Sequence, residues 1–305
     1  MPTLNAVAER KSSRHIWLIS GRELVNIAVP SHPRPILISP IKLLEPEALY
    51  AMPRENLLLV HVASREAYDQ AHLPGAVLVE PRELVDGTPP ATGRLPSVER
   101  LTALFGRLGY GTDLDIVVYD DEGGGWAGRF IWTLDIIGHR HCGYLNGGLQ
   151  AWHGAGLPLE AGSGTQPEFQ NVTLTLDDTP IAALADVRVA IDDPEQIIWD
   201  VRSKEEFLGL RRTANRVGHI PGAVHLDWMD LKDPANDLRV TANVEELLAV
   251  HGLVREKSII THCQTHHRSG LSYLVARLCG FDKIRAYDGS WAEWGNRDDT
   301  PITGP

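Results

Sequence analysis

At 305 residues the chain is long enough for two domains of ordinary size, and its 43% hydrophobic content is ordinary for globular cores. Lys and Arg number 29 against 40 Asp and Glu, a formal charge of −11, so the overall field disfavours nucleic acid and anionic membrane surfaces. No window approaches the run of about 20 apolar residues that a bilayer demands, and an anionic small substrate would need a local basic pocket.

In chain order, residues 1–35 read as an N-terminal extension. Trp17, Leu18 and Ile19 begin an apolar run that Arg22 and Glu23 cut short, with no signal-peptide cleavage site after it. Leu57 to Val62 and Ile197 to Val201 are apolar runs of strand length, each followed by a charged helix start containing Glu66 or Glu205. Ser258 to Thr261 predicts a further strand. After it Leu271, Leu274, Val275 and Leu278 recur at helical spacing, and Gly280 is placed to end that helix. Leu159 to Pro180, with Gly162, Ser163, Gly164 and Pro167, reads as a linker. Strands alternating with helices predict the α/β class, each domain a parallel β-sheet flanked by helices on both faces, with ligands beyond the carboxyl ends of the strands. The expected domains are residues 36–158 and 181–305, joined by a linker at 159–180.

The two halves repeat one another. His72-Leu73-Pro74-Gly75-Ala76-Val77 returns as His219-Ile220-Pro221-Gly222-Ala223-Val224. Val117 to Asp121, followed by Ala127-Gly128, matches Ile259 to Cys263, followed by Ser269-Gly270, at an offset of 142, and Asn146-Gly147-Gly148 with Trp152 matches Asp288-Gly289-Ser290 with Trp294 at the same offset. His72 and His219 are expected to fix the turn before each Pro-Gly.

The chemistry concentrates in His262-Cys263-Gln264-Thr265-His266-His267-Arg268-Ser269, which links a buried strand to a helix. Backbone N–H groups converging at a helix N-terminus form an anion cradle. A cysteine there is expected to titrate low, favoured as thiolate by the helix end, by Arg268 and by a protonated His266 or His267. Such a thiolate suits attack on an electrophilic sulfur or phosphorus in an oxyanion. Cys142 and Cys279 have apolar surroundings and read as core residues. With no C-x-x-C pair and no disulfide framework, the three cysteines suit a reducing compartment, the cytoplasm. His262, Cys263, His266 and His267 are all potential metal ligands, but such tight spacing on one loop rarely lets four groups reach one ion, so no metal is expected.

The paired H-[LI]-P-G-A-V motifs, the ending Asp288-Gly289-Ser290-Trp291-Ala292-Glu293-Trp294 and the loop from Cys263 to Arg268 resemble the tandem-domain rhodaneses, the thiosulfate:cyanide sulfurtransferases. The CQTHHR loop is similar to that of a bacterial branch. The resemblance covers the chain from about Ile36 onward and implies two rhodanese folds, the second catalytic and the first inactive. It implies no cofactor, Cys263 as the sulfur-carrying nucleophile, thiosulfate as donor, and cyanide, a thiol or a thioredoxin-like sulfur-accepting protein as acceptor. Arg268 would hold the sulfonate oxygens with its planar fork. Gln264, Thr265, His266 and His267 would complete the substrate site, with Asp200, Arg202 and Trp228 as pocket or supporting groups. In the first half, by the 142 offset, Asp121 stands in place of Cys263 and Trp126 in place of Arg268, while His61 and Ala63 stand in place of Asp200 and Arg202. Three rivals follow. 3-Mercaptopyruvate sulfurtransferases have a small neutral C-G-S-G-V-T loop, rhodanese-like phosphatases have C-x5-R where this chain has four intervening residues, and a persulfide carrier would share the loop unchanged.

Overall fold

The computed structural model describes residues 15–20, 23–28, 41–164 and 166–305. Residues 1–38 and 39–305 form two separate compact units. In the first, β1 (His15–Ser20) pairs antiparallel with β2 (Glu23–Ala28), His15 opposite Ala28.

The second unit contains both halves of the repeat. The first half runs β3 (Lys42–Leu44), α1 (Pro46–Tyr50), β4 (Leu57–Val62), α2 (Arg65–Gln70), β5 (Val77–Val79), α3 (Val98–Arg107), β6 (Asp115–Tyr119), α4 (Gly125–Ile136), β7 (Cys142–Leu145) and α5 (Gly148–Gly154). Its strands are all parallel, in the order β3-β7-β6-β4-β5. The second half runs α6 (Leu184–Ala190), β8 (Gln196–Asp200), α7 (Lys204–Phe207), β9 (Val224–His225), β10 (Lys232–Asp233), β11 (Arg239–Val240), α8 (Val244–Val250), β12 (Ser258–His262), α9 (Arg268–Leu278), β13 (Ile284–Ala286) and α10 (Ser290–Trp294). β10 and β11 make a small antiparallel pair, while β13-β12-β8-β9 form a parallel sheet. A parallel bridge from Ile181 to Ala286 stands where the first half has β3.

Both faces of each sheet are buried. Along β6, Ile116 and Val118 enter one core and Val117 and Tyr119 another, and along β12 Ile259 and Ile260 divide in the same way. That alternation is what helices packed on both faces of a parallel sheet require. One of the cores is common to the two halves, with Phe130 of α4 and Leu274 of α9 among its members. Helices α4 and α9 meet at paired glycines: a Cβ on Gly128 would lie 2.2 Å from the Gly270 carbonyl oxygen, so side chains are excluded from the crossing.

The described residues of 159–180 carry no helix, yet they are bound to the fold. His72 and Glu160 exchange backbone hydrogen bonds of 2.9 and 2.8 Å, and Val172 and Leu174 pack on the shared core. His72 Nδ1 also meets the Tyr68 carbonyl at 2.8 Å, and His219 Nδ1 meets the Phe207 carbonyl at 2.9 Å. Each histidine therefore fastens the backbone before its Pro-Gly turn. Among the described residues no helix is long and apolar enough to cross a membrane.

Candidate active site

Cys263 is the first residue beyond β12, at the carboxyl end of a central strand, where ligands of parallel sheets collect. Its N–H donates to Ser290 Oγ at 3.3 Å, and its carbonyl accepts the Trp291 N–H at 3.0 Å. The Ser269 hydroxyl, 3.5 Å away, donates to Sγ. The residue is only 1% exposed. Burial raises the thiol pKa, but Arg268, the Ser269 hydroxyl and amide, and His267 outweigh it and hold the thiol below its ordinary value. The other two cysteines behave oppositely: burial pushes Cys142 up to about 12 and Cys279 up to about 11.

The loop side chains divide their tasks differently from the sequence expectation. The fork of Arg268 is already engaged: Nη1 and Nη2 donate to the two carboxylate oxygens of Glu206 at 2.6 and 3.0 Å. Its positive charge bears on Cys263, and each terminal nitrogen commits one of its two N–H groups to Glu206. Glu206 reaches this place because Ser203 and Glu206 form a capping box at the start of α7, and its side chain is buried there. His266 is not a cation. Burial, Arg129 and His267 hold its pKa far below the usual histidine value. Its Nδ1 lies 2.7 Å from Ser269 Oγ, and with that hydroxyl proton directed to sulfur, Nδ1 is the donor. His266 also takes a left-handed φ of +54°, uncommon for a side-chain-bearing residue and typical of a functional turn.

His267 pairs through Nε2 with Glu122 of the first half and stacks on Trp126 with ring centroids 4.4 Å apart. Gln264 donates to the Thr213 carbonyl at 2.9 Å, and its Oε1 has no partner among the described residues. Thr265 abuts Gly93, where a Cβ would lie 2.0 Å from the Thr265 carbonyl oxygen. His266 and His267 thus turn to different partners, and among the described residues no cluster of three or more His, Cys, Asp or Glu is placed to hold a metal ion.

Asp200 and Arg202 form a fully buried pair, with Arg202 Nε 2.9 Å and Nη2 2.5 Å from the carboxylate. Burial opposes ionisation of Asp200, but His262 and Arg202 hold it down at about 2. Arg202 also donates to the Gly218 carbonyl and lies 4.2 Å from the centre of the Trp291 ring. The pair braces the strand ends behind the loop. Trp228 stands at the rim, 5.7 Å from His267 between ring centroids, with Lys232 Nζ 3.5 Å from its own ring centre.

Sequence reasoning assigned no role to Glu206, Ser269 or Glu122. A Ser-x-x-Glu box at residues 203–206 and a serine closing the loop were the available signals; Glu122 had none.

The rhodanese-like domain family matches this chain twice, at residues 45–155 and 183–297. The chain belongs to the rhodanese family. It is 45% identical over 247 residues to a thiosulfate sulfurtransferase of Pseudomonas aeruginosa, covering 81% of this chain and 91% of that protein. With a thiosulfate sulfurtransferase of Azotobacter vinelandii the identity is 44% over 268 residues, covering 88% and 97%. Among solved structures, a variant of EanB in complex with ergothioneine superposes with a TM-score of 0.78 at 19% identity, covering 87% of this chain and 70% of that one. That likeness concerns the fold alone.

The first rhodanese-like domain carries the corresponding loop in a different state. The hydrogen bonds correct the single 142 register. The Asp120 carbonyl accepts the Leu149 N–H as the Cys263 carbonyl accepts that of Trp291, and Tyr119 faces His61 as His262 faces Asp200. Asp120, not Asp121, is therefore the counterpart of Cys263. Its Oδ1 accepts the N–H groups of Gly123 and Gly124 at 3.0 and 2.8 Å, and Oδ2 accepts that of Ala127 at 2.9 Å. Burial and the Glu122 charge push this carboxyl up to about 6 against the pull of the Ala127, Gly124 and Glu122 N–H groups. The cradle of the first domain is filled by a carboxylate of its own.

Proposed function

We propose that this protein is a thiosulfate sulfurtransferase working through a Cys263 persulfide. The observation that carries the reading is a buried cysteine held toward its thiolate by Arg268, Ser269 and His267 at the carboxyl end of β12. The Cys263 thiolate attacks the outer sulfur of thiosulfate, the sulfur–sulfur bond of the donor breaks, and sulfite departs with its electron pair. An acceptor such as cyanide then attacks the outer sulfur of the persulfide, forming thiocyanate and returning the thiolate. This is ping-pong chemistry. Ser269 donates to the sulfur, His266 orients Ser269, and Arg268 supplies the field. Gln264, Thr265 and His267 line the approach, with Trp228 at its rim. The first domain, whose cradle is closed by Asp120, serves as a wall. The CQTHHR loop favours the bacterial branch of the family and an inorganic dianion over a ketoacid thiol. The spacing of Cys263 and Arg268 argues against phosphatase chemistry. Three free cysteines suit a reducing compartment such as the cytoplasm.

The test is thiocyanate formation from thiosulfate and cyanide by the full chain and by Cys263→Ala. Activity in the first, none in the second, and a mass increase of one sulfur atom on Cys263 after thiosulfate alone are expected. Faster turnover of mercaptopyruvate than of thiosulfate overturns the donor assignment, and activity surviving in Cys263→Ala overturns the mechanism.

A further inference from the structure

The two domains clasp one another twice, at matching places. In the second domain Asp288 Oδ2 accepts the Leu95 N–H at 2.8 Å, and in the first Asn146 Oδ1, its counterpart in the repeat, accepts the Val240 N–H at 2.8 Å. The residue before each donor is an arginine that reaches a carboxylate of the other domain. Arg94 Nη2 pairs with Glu293 Oε1, and Arg239 Nε donates to Glu45 Oε2 at 3.0 Å. Arg239 fastens the domain whose cradle Asp120 already fills, whereas Arg94 fastens the domain that carries Cys263.

Contacts lead from Arg94 to Cys263 without a gap. Glu293 lies on α10, its side chain 9% exposed, and Tyr287 donates to its other carboxylate oxygen at 2.9 Å. Gly289 leaves room for that carboxylate, because a Cβ there would lie 2.0 Å from Oε2. The same turn holds the cysteine through both of its backbone groups: Ser290 Oγ accepts its N–H, and the Trp291 N–H donates to its carbonyl. The Ala292 N–H donates to the Gln264 carbonyl at 2.9 Å, and the Tyr287 N–H to the Thr261 carbonyl at 3.0 Å. On the near side Gly93 abuts the Thr265 carbonyl. Within the first domain this segment is braced by the Asp86 N–H on the Arg94 carbonyl at 2.8 Å and by the Arg94 N–H on the Ala91 carbonyl at 3.1 Å. Gly93, Arg94 and Leu95 thus press at once on the cysteine loop, on α10 and on the turn between β13 and α10.

We propose that Arg94, supplied by the first domain, is a positioning residue for Cys263, its pair with Glu293 seating the turn of residues 287–292 from which the cysteine is held. The effect on turnover rests on the sulfurtransferase reading, whereas the placement of the thiol does not.

The experiment follows thiocyanate turnover and the pH dependence of iodoacetamide alkylation at Cys263, by peptide mass, in the full chain and its variants. Arg94→Met and Glu293→Gln remove opposite charges but break the same contact. Each is expected to lower kcat about tenfold with KM for thiosulfate within about twofold, and to move the alkylation midpoint up by about half a unit. Arg94 meets Glu293 through one nitrogen, so Arg94→Lys should return kcat to within about threefold of the native chain. Arg239→Met opens the mirror clasp and controls for lost stability, since Arg239 is the more buried arginine, its side chain 16% exposed against 53% for Arg94; its kcat and midpoint should stay native. Midpoint shifts of opposite sign in Arg94→Met and Glu293→Gln mark a field effect and overturn the proposal. Native kcat and midpoint in Arg94→Met, or equal losses in Arg239→Met, overturn it as well. Should Glu293→Gln fail to fold, Glu293→Asp, which keeps the charge but shortens the reach, is read in its place, and native values there count against the clasp. Absence of thiocyanate from the native chain sinks the sulfurtransferase reading alone, and the alkylation midpoints still decide whether Arg94 positions the thiol.

Discussion

Replacing Glu206 by Gln tests how the loop is held. The native carboxylate takes both terminal nitrogens of Arg268, at 2.6 and 3.0 Å, and its side chain is 2% exposed. Glutamine keeps one acceptor and turns an N–H2 group toward a guanidinium that cannot accept. Removing one partner of a buried pair costs about 3–5 kcal/mol. The Arg268 side chain is 18% exposed, so water recovers part of this, and about 2–3 kcal/mol is expected. For a fold of this size that corresponds to a fall of about 3–6 °C in Tm by circular dichroism. The sign with pH is defined. Burial opposes ionisation of Glu206, but Arg268 outweighs it and lowers the pKa below the ordinary 4.5. The stabilisation is therefore complete above pH 4.5 and fades as pH falls through the lowered value, closing the gap between native and variant. A native Tm at pH 7, or a gap that widens in acid, refutes the reasoning.

Three further outcomes follow from the geometry. Asp120→Ala strands the N–H groups now satisfied by the carboxylate and should cost about 3–5 kcal/mol in denaturant unfolding; a change below about 1 kcal/mol contradicts the filled cradle. Gly93→Ala sets a methyl 2.0 Å from the Thr265 carbonyl oxygen, so the loop must shift, and kcat is expected to fall about 100-fold; native turnover in initial-rate assays argues that the loop yields freely. With Cys142 and Cys279 pushed up to about 12 and 11, limiting iodoacetamide at pH 7 should label Cys263 first by peptide mapping, and equal labelling removes the case for a favoured thiolate.

Much of the fold was legible because burial writes itself into periodicity. The run at Leu57–Val62 coincides with β4, and the helical spacing after Cys263 with α9, closed by Gly280 at φ +77°. Tertiary partners leave no such trace. Glu206 lies 62 residues from Arg268, and nothing local distinguishes it from a solvent-facing helix carboxylate. The neutrality of His266 comes from burial beside Trp132 and Arg129, which spacing does not encode. The constant offset of 142 sets Asp121 opposite Cys263 on paper, whereas the hydrogen bond from Leu149 and the pairing of Tyr119 with His61 set Asp120 there. The segment at 159–180 has loop composition, but Val172 and Leu174 fasten it to the core. The β1–β2 pair was not anticipated from the interrupted run at Trp17.

The glycine crossing of α4 and α9 bears on how freely the two domains can diverge. A domain relieved of chemistry would ordinarily accumulate substitutions at little cost to activity. Here a single methyl on Gly128 would meet the Gly270 carbonyl at 2.2 Å, at the first turn of the helix that carries the cysteine loop. Damage on the quiet side of the joint is transmitted to the reactive side by contact alone. Under the proposed sulfur transfer the first domain therefore answers for catalysis through its shape, and a side chain at Gly128 is expected to disturb the Cys263 loop by contact.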